Sequence, residues 1–328
     1  MKKVLVTGGA GYIGSVLVEK LLEKGYFVRV LDQLIFGKEP LDFAADNPNF
    51  ELVVGRIEDP YIVEKSMQGI NAVIHLAALA NDPSCDLDPS LTRQTNYEAT
   101  RSLIDAAKKA KASRFLFASS CSVYGFTGDN IVNETSPLNP LTAYARSKVK
   151  CEGLILDSAA DDFIVACLRK ATIYGPSHRM RFDLVINTMT GSAMTNNKIL
   201  INGGKQWRPF LHVEDAADAY IFLLEAPAEK VQKQMFNVGS TEQNYQIETI
   251  AKMIKEVIPS TEIDQSDSPD NRSYHVSFDK LSNLGFKVKK TVKEGTLGVK
   301  KLFDDKIVTN FRDINYYNIK RMISFLNI

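Results

Sequence analysis

Thr7-Gly8-Gly9-Ala10-Gly11-Tyr12-Ile13-Gly14 follows the apolar run Val4-Leu5-Val6 and leads straight into an amphipathic segment. The stretch reads as strand, tight turn and helix. Gly9, Gly11 and Gly14 fit G-x-G-x-x-G, while Gly8, Gly11 and Gly14 fit G-x-x-G-x-x-G. Either spacing lets backbone approach a pyrophosphate at the positive end of the helix. A glycine triplet alone also marks ordinary turns, so the flanking sequence decides the reading. Val16, Leu17, Leu21 and Leu22 recur at helical spacing, Lys24-Gly25 ends the helix, and Phe27 to Leu31 reads as a second strand with Asp32 at its end. An acid about 20 residues after the glycines accepts hydrogen bonds from an adenosine ribose and repels a 2′-phosphate, which favours NAD over NADP.

Working outward, Phe50 to Val54 is a third strand, Tyr61 to Gln68 a helix and Ala72 to Leu76 a fourth strand. The alternation predicts an α/β fold, a doubly wound parallel (Rossmann) sheet covered on both faces, with ligands at the carboxyl ends of its strands. A helix is expected over Thr92 to Lys111, a strand over Phe115 to Ala118 ending in Ser119-Ser120-Cys121-Ser122-Val123-Tyr124-Gly125, and an irregular loop through Asn133 to Pro140. A helix from Thr142 to Ser158 and a strand from Phe163 to Arg169 complete the first unit, 1–170. Beyond it, 171–328 reads as a smaller mixed α/β region, with segments near 209–240 returning to the first unit. The lysine-rich run Lys287 to Lys306 reads as a solvated helix face. Ile319, Met322, Ile323 and Leu326 lie at helical spacing, so the tail is expected to dock on the body or on a second subunit.

Tyr144 and Lys148 are four apart on the predicted helix, hence on one face. A phenol needs nearby positive charge to act as a base near neutral pH, and Lys148 and an oxidised nicotinamide both supply it. Forty basic against 39 acidic residues leave a net charge of +1, which argues against nucleic acid or a membrane surface as partner. No stretch has the length of a membrane span. Cys85, Cys121, Cys151 and Cys167 lack C-x-x-C spacing, consistent with a cytoplasmic protein, and His75, His178, His212 and His275 have no metal-ligand spacing, so no metal is expected.

Taken together, TGGAGYIG, Asp32, His75 to Ala78, Asn96, SSCSVYG, YARSK, ATIYGP and RPFLHVEDAADA resemble, in order and over nearly the whole chain, the NAD-dependent sugar-nucleotide epimerase/dehydratase family of extended short-chain dehydrogenase/reductases. The resemblance implies a catalytic Ser120, Tyr144 and Lys148. It implies NAD held by Gly8, Gly11, Tyr12, Ile13, Gly14, Asp32, Leu76, Ala77, Ala78 and Asn96, with a backbone contact from Ile57. On the substrate side it implies a nucleotide-diphosphate sugar met by Thr172, Asp183, Leu184, Arg208 and Arg272, with Cys121 and Ser122 on the sugar wall, in a homodimer. The chain departs from the family pattern in three places. Gly55-Arg56-Ile57 replaces Gly-Asp-Ile and softens the NAD preference. Cys121-Ser122 stands where 4,6-dehydratases carry Asp-Glu, which disfavours dehydration. Cys121 and His178 are offset from the Cys/His pair of GDP-fucose synthases, and Ser177 to Leu184 is similar to a branch that includes heptose-nucleotide 4-dehydrogenases. The expected chemistry is oxidation at C4 of the sugar, most simply a 4-epimerisation, with C4 dehydrogenation, 4-keto reduction or non-catalytic NAD sensing as alternatives.

Overall fold

The computed structural model describes residues 2–266 and 272–326. Seven strands form its main sheet: β1 (Lys3–Thr7), β2 (Phe27–Asp32), β3 (Phe50–Val54), β4 (Ala72–His75), β5 (Arg114–Ser120), β6 (Ile164–Lys170) and β7 (Gln234–Val238). All pair in parallel, in the order β7-β6-β5-β4-β1-β2-β3. Strand order reverses direction between β1 and β4, which opens the crevice where ligands of doubly wound sheets bind.

Alternating side chains feed two cores. Val4, Val6, Val28, Val30, Ile74, Leu116 and Leu168 face one layer, formed by α1 (Tyr12–Glu23) and α3 (Val213–Glu225). Leu5, Val73, Phe115, Phe117 and Val165 face the other, formed by helices 60–67 and 99–109 and by α2 (Ala143–Asp157). Burial on both faces is why these strands read as continuous apolar runs. Each fully buried side chain of this size contributes about 1.5–3 kcal/mol of transfer free energy. A separate cluster, with Ile186, Ile199, Phe210, Ile250 and Ile254 at its centre, makes the core of the smaller region.

The structure changes the expected outline in three places. The helix expected over Thr92 to Lys111 is broken: α-helices Pro89–Arg93 and Ala99–Lys109 flank a π-helical turn, Gln94–Glu98. That turn carries Asn96 inward, where its side chain holds the backbone of Leu79. Second, Trp207–His212 does not join the main sheet. It lies in a three-stranded sheet between Asn244–Gln246 and Thr172–Tyr174, and the chain returns to the first unit only with α3 and β7. Third, Phe126–Val132 is a strand, paired in parallel with Ser273–Val276. Its partner is remote in sequence, so local pattern gives no sign of it. The tail forms α4 (Asn318–Leu326), which packs Met322 against Ile35, Leu79 and Cys85.

Candidate active site

The glycine turn is shaped by close approach. Gly8 has φ +74°, and a Cβ there would lie 2.7 Å from the Ala77 nitrogen; one on Gly14 would lie 2.2 Å from the Gly8 oxygen. Neither position admits a side chain without moving backbone. Gly11 caps α1 without a side-chain hydrogen bond, which leaves the first amides of the helix to an outside acceptor. Tyr12 is buried; its hydroxyl donates to the Gly175 carbonyl (2.5 Å) and accepts from Asn187 (3.0 Å), so the ring braces the helix against the smaller region. Asp32 closes β2, with its carboxylate accepting from the amides of Ala10 (3.0 Å) and Leu34 (2.8 Å). Burial raises its pKa, opposed by those two amides. Each carboxylate oxygen keeps further acceptor capacity for a ribose hydroxyl.

One cleft runs over the carboxyl ends of the strands from this turn to β6. Gly8, Gly11, Tyr12, Ile13, Gly14, Asp32, Ile57, Leu76, Ala77 and Ala78 line it, followed by Ser120, Ser122, Tyr144, Lys148, Thr172, Leu184 and Arg272. Glycine cradle, uncapped helix end and buried carboxylate fit the pyrophosphate and adenosine of NAD. Arg56 also lines the cleft but pairs with Glu58 (3.3 Å).

At the far end, Thr142 caps α2 by accepting from the Ala145 amide (3.1 Å), which sets the helix phase. Lys148 Nζ lies 5.5 Å from the Tyr144 ring centroid and 4.7 Å from that of Phe117. Burial pushes the Tyr144 phenol well above its ordinary value, reinforced by Cys85 and Asp82, with Arg181 opposing; burial lowers Lys148. Ser120 accepts from the Ser122 amide (3.2 Å), while the buried Ser122 hydroxyl has no hydrogen-bond partner among the described residues. Behind this wall, Arg169 and Glu152 form a buried bidentate pair (2.9 and 2.8 Å), joined by Ser119 and Tyr124.

Four expected contacts lie off the cleft wall. Cys121 points into the core, its thiol 3.1 Å from the Arg169 carbonyl, so it is corrected from the sugar wall. Asp183 is occupied by Arg181 (2.8 and 2.9 Å), Asn81 (3.1 Å) and the Asn318 amide (3.1 Å). It is Arg181 that lines the cleft. Asn96 supports the wall from behind through Leu79. Arg208 is buried over the Tyr274 ring (4.9 Å) and donates to the carbonyls of Trp207 and Arg272. Arg272 itself faces the cleft and pairs with Asp82 (2.6 Å). His178 lies away from the cleft, stacked on Phe43 and bonded to Glu19 (3.0 Å).

Local sequence reading missed the contributions of Arg179 and of the tail helix. Arg179, buried with its guanidinium 3.8 Å from the Phe36 centroid, lines the cleft near Asp32. Burial, then the neighbouring Arg181, lowers its pKa to about 9. From α4 come Asn318 and Met322, which cover the cleft while Arg321 donates to the Ile35 carbonyl (2.6 Å). The charge pattern around Arg179-Met180-Arg181 and the helical spacing of Met322 were visible, but nothing local says that either faces a ligand. Among the described residues no cluster of His, Cys, Asp and Glu suits a metal, and no helix is long and apolar enough to cross a membrane.

A glycine-cradled crevice leading to Tyr and Lys one helical turn apart defines a dinucleotide-dependent oxidoreductase site of the extended short-chain type. The chain belongs to the NAD dependent epimerase/dehydratase family, whose model matches residues 4–239. It is 31% identical over 256 residues to a UDP-glucose 4-epimerase of Lactobacillus helveticus, covering 73% of this chain and 76% of the relative. A UDP-N-acetyl-alpha-D-glucosaminuronate decarboxylase of Bacillus cytotoxicus is 31% identical over 294 residues, covering 87% and 86%. Among solved structures, the Thermotoga maritima UDP-glucose 4-epimerase with UDP-glucose superimposes with a TM-score of 0.83 at 27% identity, covering 93% of this chain and all of that one (100%).

Proposed function

We propose that the protein is a nucleotide-sugar 4-epimerase that oxidises C4 of a nucleotide-diphosphate sugar to a 4-keto intermediate and reduces it again from the opposite face. The observation that carries this reading is the meeting of Ser120, Tyr144 and Lys148 at the end of the cleft that begins in the glycine cradle. Bound NAD supplies the hydride acceptor. Tyr144, as phenolate, takes the C4 hydroxyl proton and Ser120 hydrogen-bonds the same oxygen. Lys148 holds the nicotinamide ribose and offsets the phenolate charge. Because burial raises the Tyr144 pKa, the phenolate depends on positive charge beside it, which an oxidised nicotinamide adds to that of Lys148. Arg272 suits the substrate diphosphate, since a guanidinium fork matches phosphate oxygens, and Arg208 fixes the Arg272 backbone. Elimination of water is disfavoured: the residues after Ser120 are Cys121, buried in the core, and Ser122, with no carboxylate to serve as acid or base. The family resemblance also supports a homodimer across helices 99–109 and α2, which light scattering tests.

The deciding experiment incubates the purified protein with UDP-, GDP-, dTDP- and CDP-sugars and follows mass and absorbance. An isomer of equal mass without net NADH supports the epimerase. A product lighter by two hydrogens, with stoichiometric NADH, replaces it by a C4 dehydrogenase, and NAD binding without turnover of any sugar replaces it by an NAD sensor.

A further inference from the structure

Lys170, the last residue of β6, is a second lysine at the catalytic end of the cleft, and no family motif in the sequence accounts for it. It is the register partner of Ser120 across the parallel ladder, so the two side chains leave the sheet on the same side. The residue is 9% exposed and lines the cleft. Its ammonium donates to the Ser119 carbonyl (2.7 Å) and lies 5.8 Å from the Tyr220 ring centroid. Among the described residues it has no carboxylate partner, whereas the adjacent Arg169 has Glu152. A buried ammonium set against one carbonyl and one aromatic ring, with no carboxylate among the described residues, is a costly arrangement.

The cleft itself suggests what this arrangement serves. Adenosine belongs at Asp32 on β2 and pyrophosphate at the turn after β1, so the nicotinamide half extends the other way, over β4, β5 and β6. Lys170 stands at the end of that path, beyond Ser120. We propose that Lys170 is a cofactor-tuning residue that, with Lys148, makes the nicotinamide end of the cleft bind the neutral reduced ring more tightly than the cationic oxidised ring. Unit charges up to about 10 Å apart at an effective dielectric near 20 shift such a preference on the order of tenfold. Burial, and then Lys148, push the Lys170 amine well below its ordinary value, so it protonates more readily once the ring has lost its charge. Favouring the reduced state draws hydride from the sugar alcohol and retains the cofactor while the keto intermediate is present. The inference rests on NAD occupying the cleft, not on the identity of the sugar.

The test exchanges bound cofactor of the holoenzyme against defined mixtures of NAD and NADH, read by NADH fluorescence, without any sugar. The wild type is expected to prefer NADH, Lys170→Met and Lys170→Gln to lose about tenfold of that preference, and Lys170→Arg to keep it. Equal NADH preference in wild type and in folded K170M or K170Q overturns the proposal. A wild type with no preference overturns it whether or not the variants fold. Loss of all cofactor binding would instead remove the NAD reading beneath it.

Discussion

At the scale of single residues, the site separates groups that line the cleft from groups that hold them in place. Tyr144→Phe keeps the ring and its packing but removes the proposed proton acceptor; turnover is expected to fall about 10²–10⁴-fold with cofactor binding retained. Stopped-flow assay beside NADH-fluorescence titration checks both halves. Gly14→Ala acts differently, because its Cβ would lie 2.2 Å from the Gly8 oxygen. Cofactor binding is expected to be lost and the melting temperature to fall with it, because backbone of the turn must move to make room, as seen by calorimetry and fluorescence on the same sample. Asp32, Tyr144 and Lys148 were legible in the sequence because short spacing on a strand end or helix face already fixes their relative direction. Cys121 was misread because the turn after Ser120 is a 3-10 helix, Cys121–Tyr124, that rotates its thiol inward. The direction of one side chain in an irregular turn depends on what it packs against.

At the scale of elements, the cleft wall at Ser120 and Tyr144 is backed by a buried ion pair between α2 and β6. Glu152→Ala leaves the Arg169 guanidinium buried without its carboxylate and also removes the partner of Ser119. Breaking such a pair is expected to destabilise the protein by about 3–5 kcal/mol, measured as a lower urea midpoint. The π-helical turn Gln94–Glu98 shows why a long amphipathic stretch does not ensure a continuous α-helix. The residues it buries are the polar Thr95 and Asn96, and the Asn96 amide makes two hydrogen bonds to the Leu79 backbone from there. The same limit applies to α4. Its apolar face marks a helix that docks, and only the body of the molecule supplies the surface of Ile35, Leu79 and Cys85. Met322→Ala is expected to weaken cofactor binding without abolishing turnover at saturating cofactor, a change in apparent affinity rather than kcat.

At the scale of the whole molecule, two buried histidines connect the fold to pH. His75 lies between Thr7 (2.7 Å) and Thr100 (2.9 Å), and burial lowers its pKa to about 3; burial likewise lowers His212 to about 4. Both folded values lie below the unfolded value of about 6.5. As pH falls below 6.5 the unfolded chain therefore takes up protons that the folded chain refuses. Stability is fully present above that pH and declines towards pH 4, by at most about 1.4 kcal/mol per pH unit for each histidine. Urea denaturation at pH 7 and pH 5 is expected to show this loss, and a smaller one in His75→Asn. The sequence by itself determined the alternation of strands and helices, the glycine turn with its acid, and the Tyr-Lys helix face, since each depends on residues near one another along the chain. Only the tertiary structure decided that Trp207–His212 leaves the main sheet, that Phe126–Val132 pairs with Ser273–Val276, and that Arg179, Arg181, Lys170, Asn318 and Met322 share one cleft with Asp32 and Tyr144. Those contacts join segments up to some three hundred residues apart, and their direction follows from packing that no local pattern encodes.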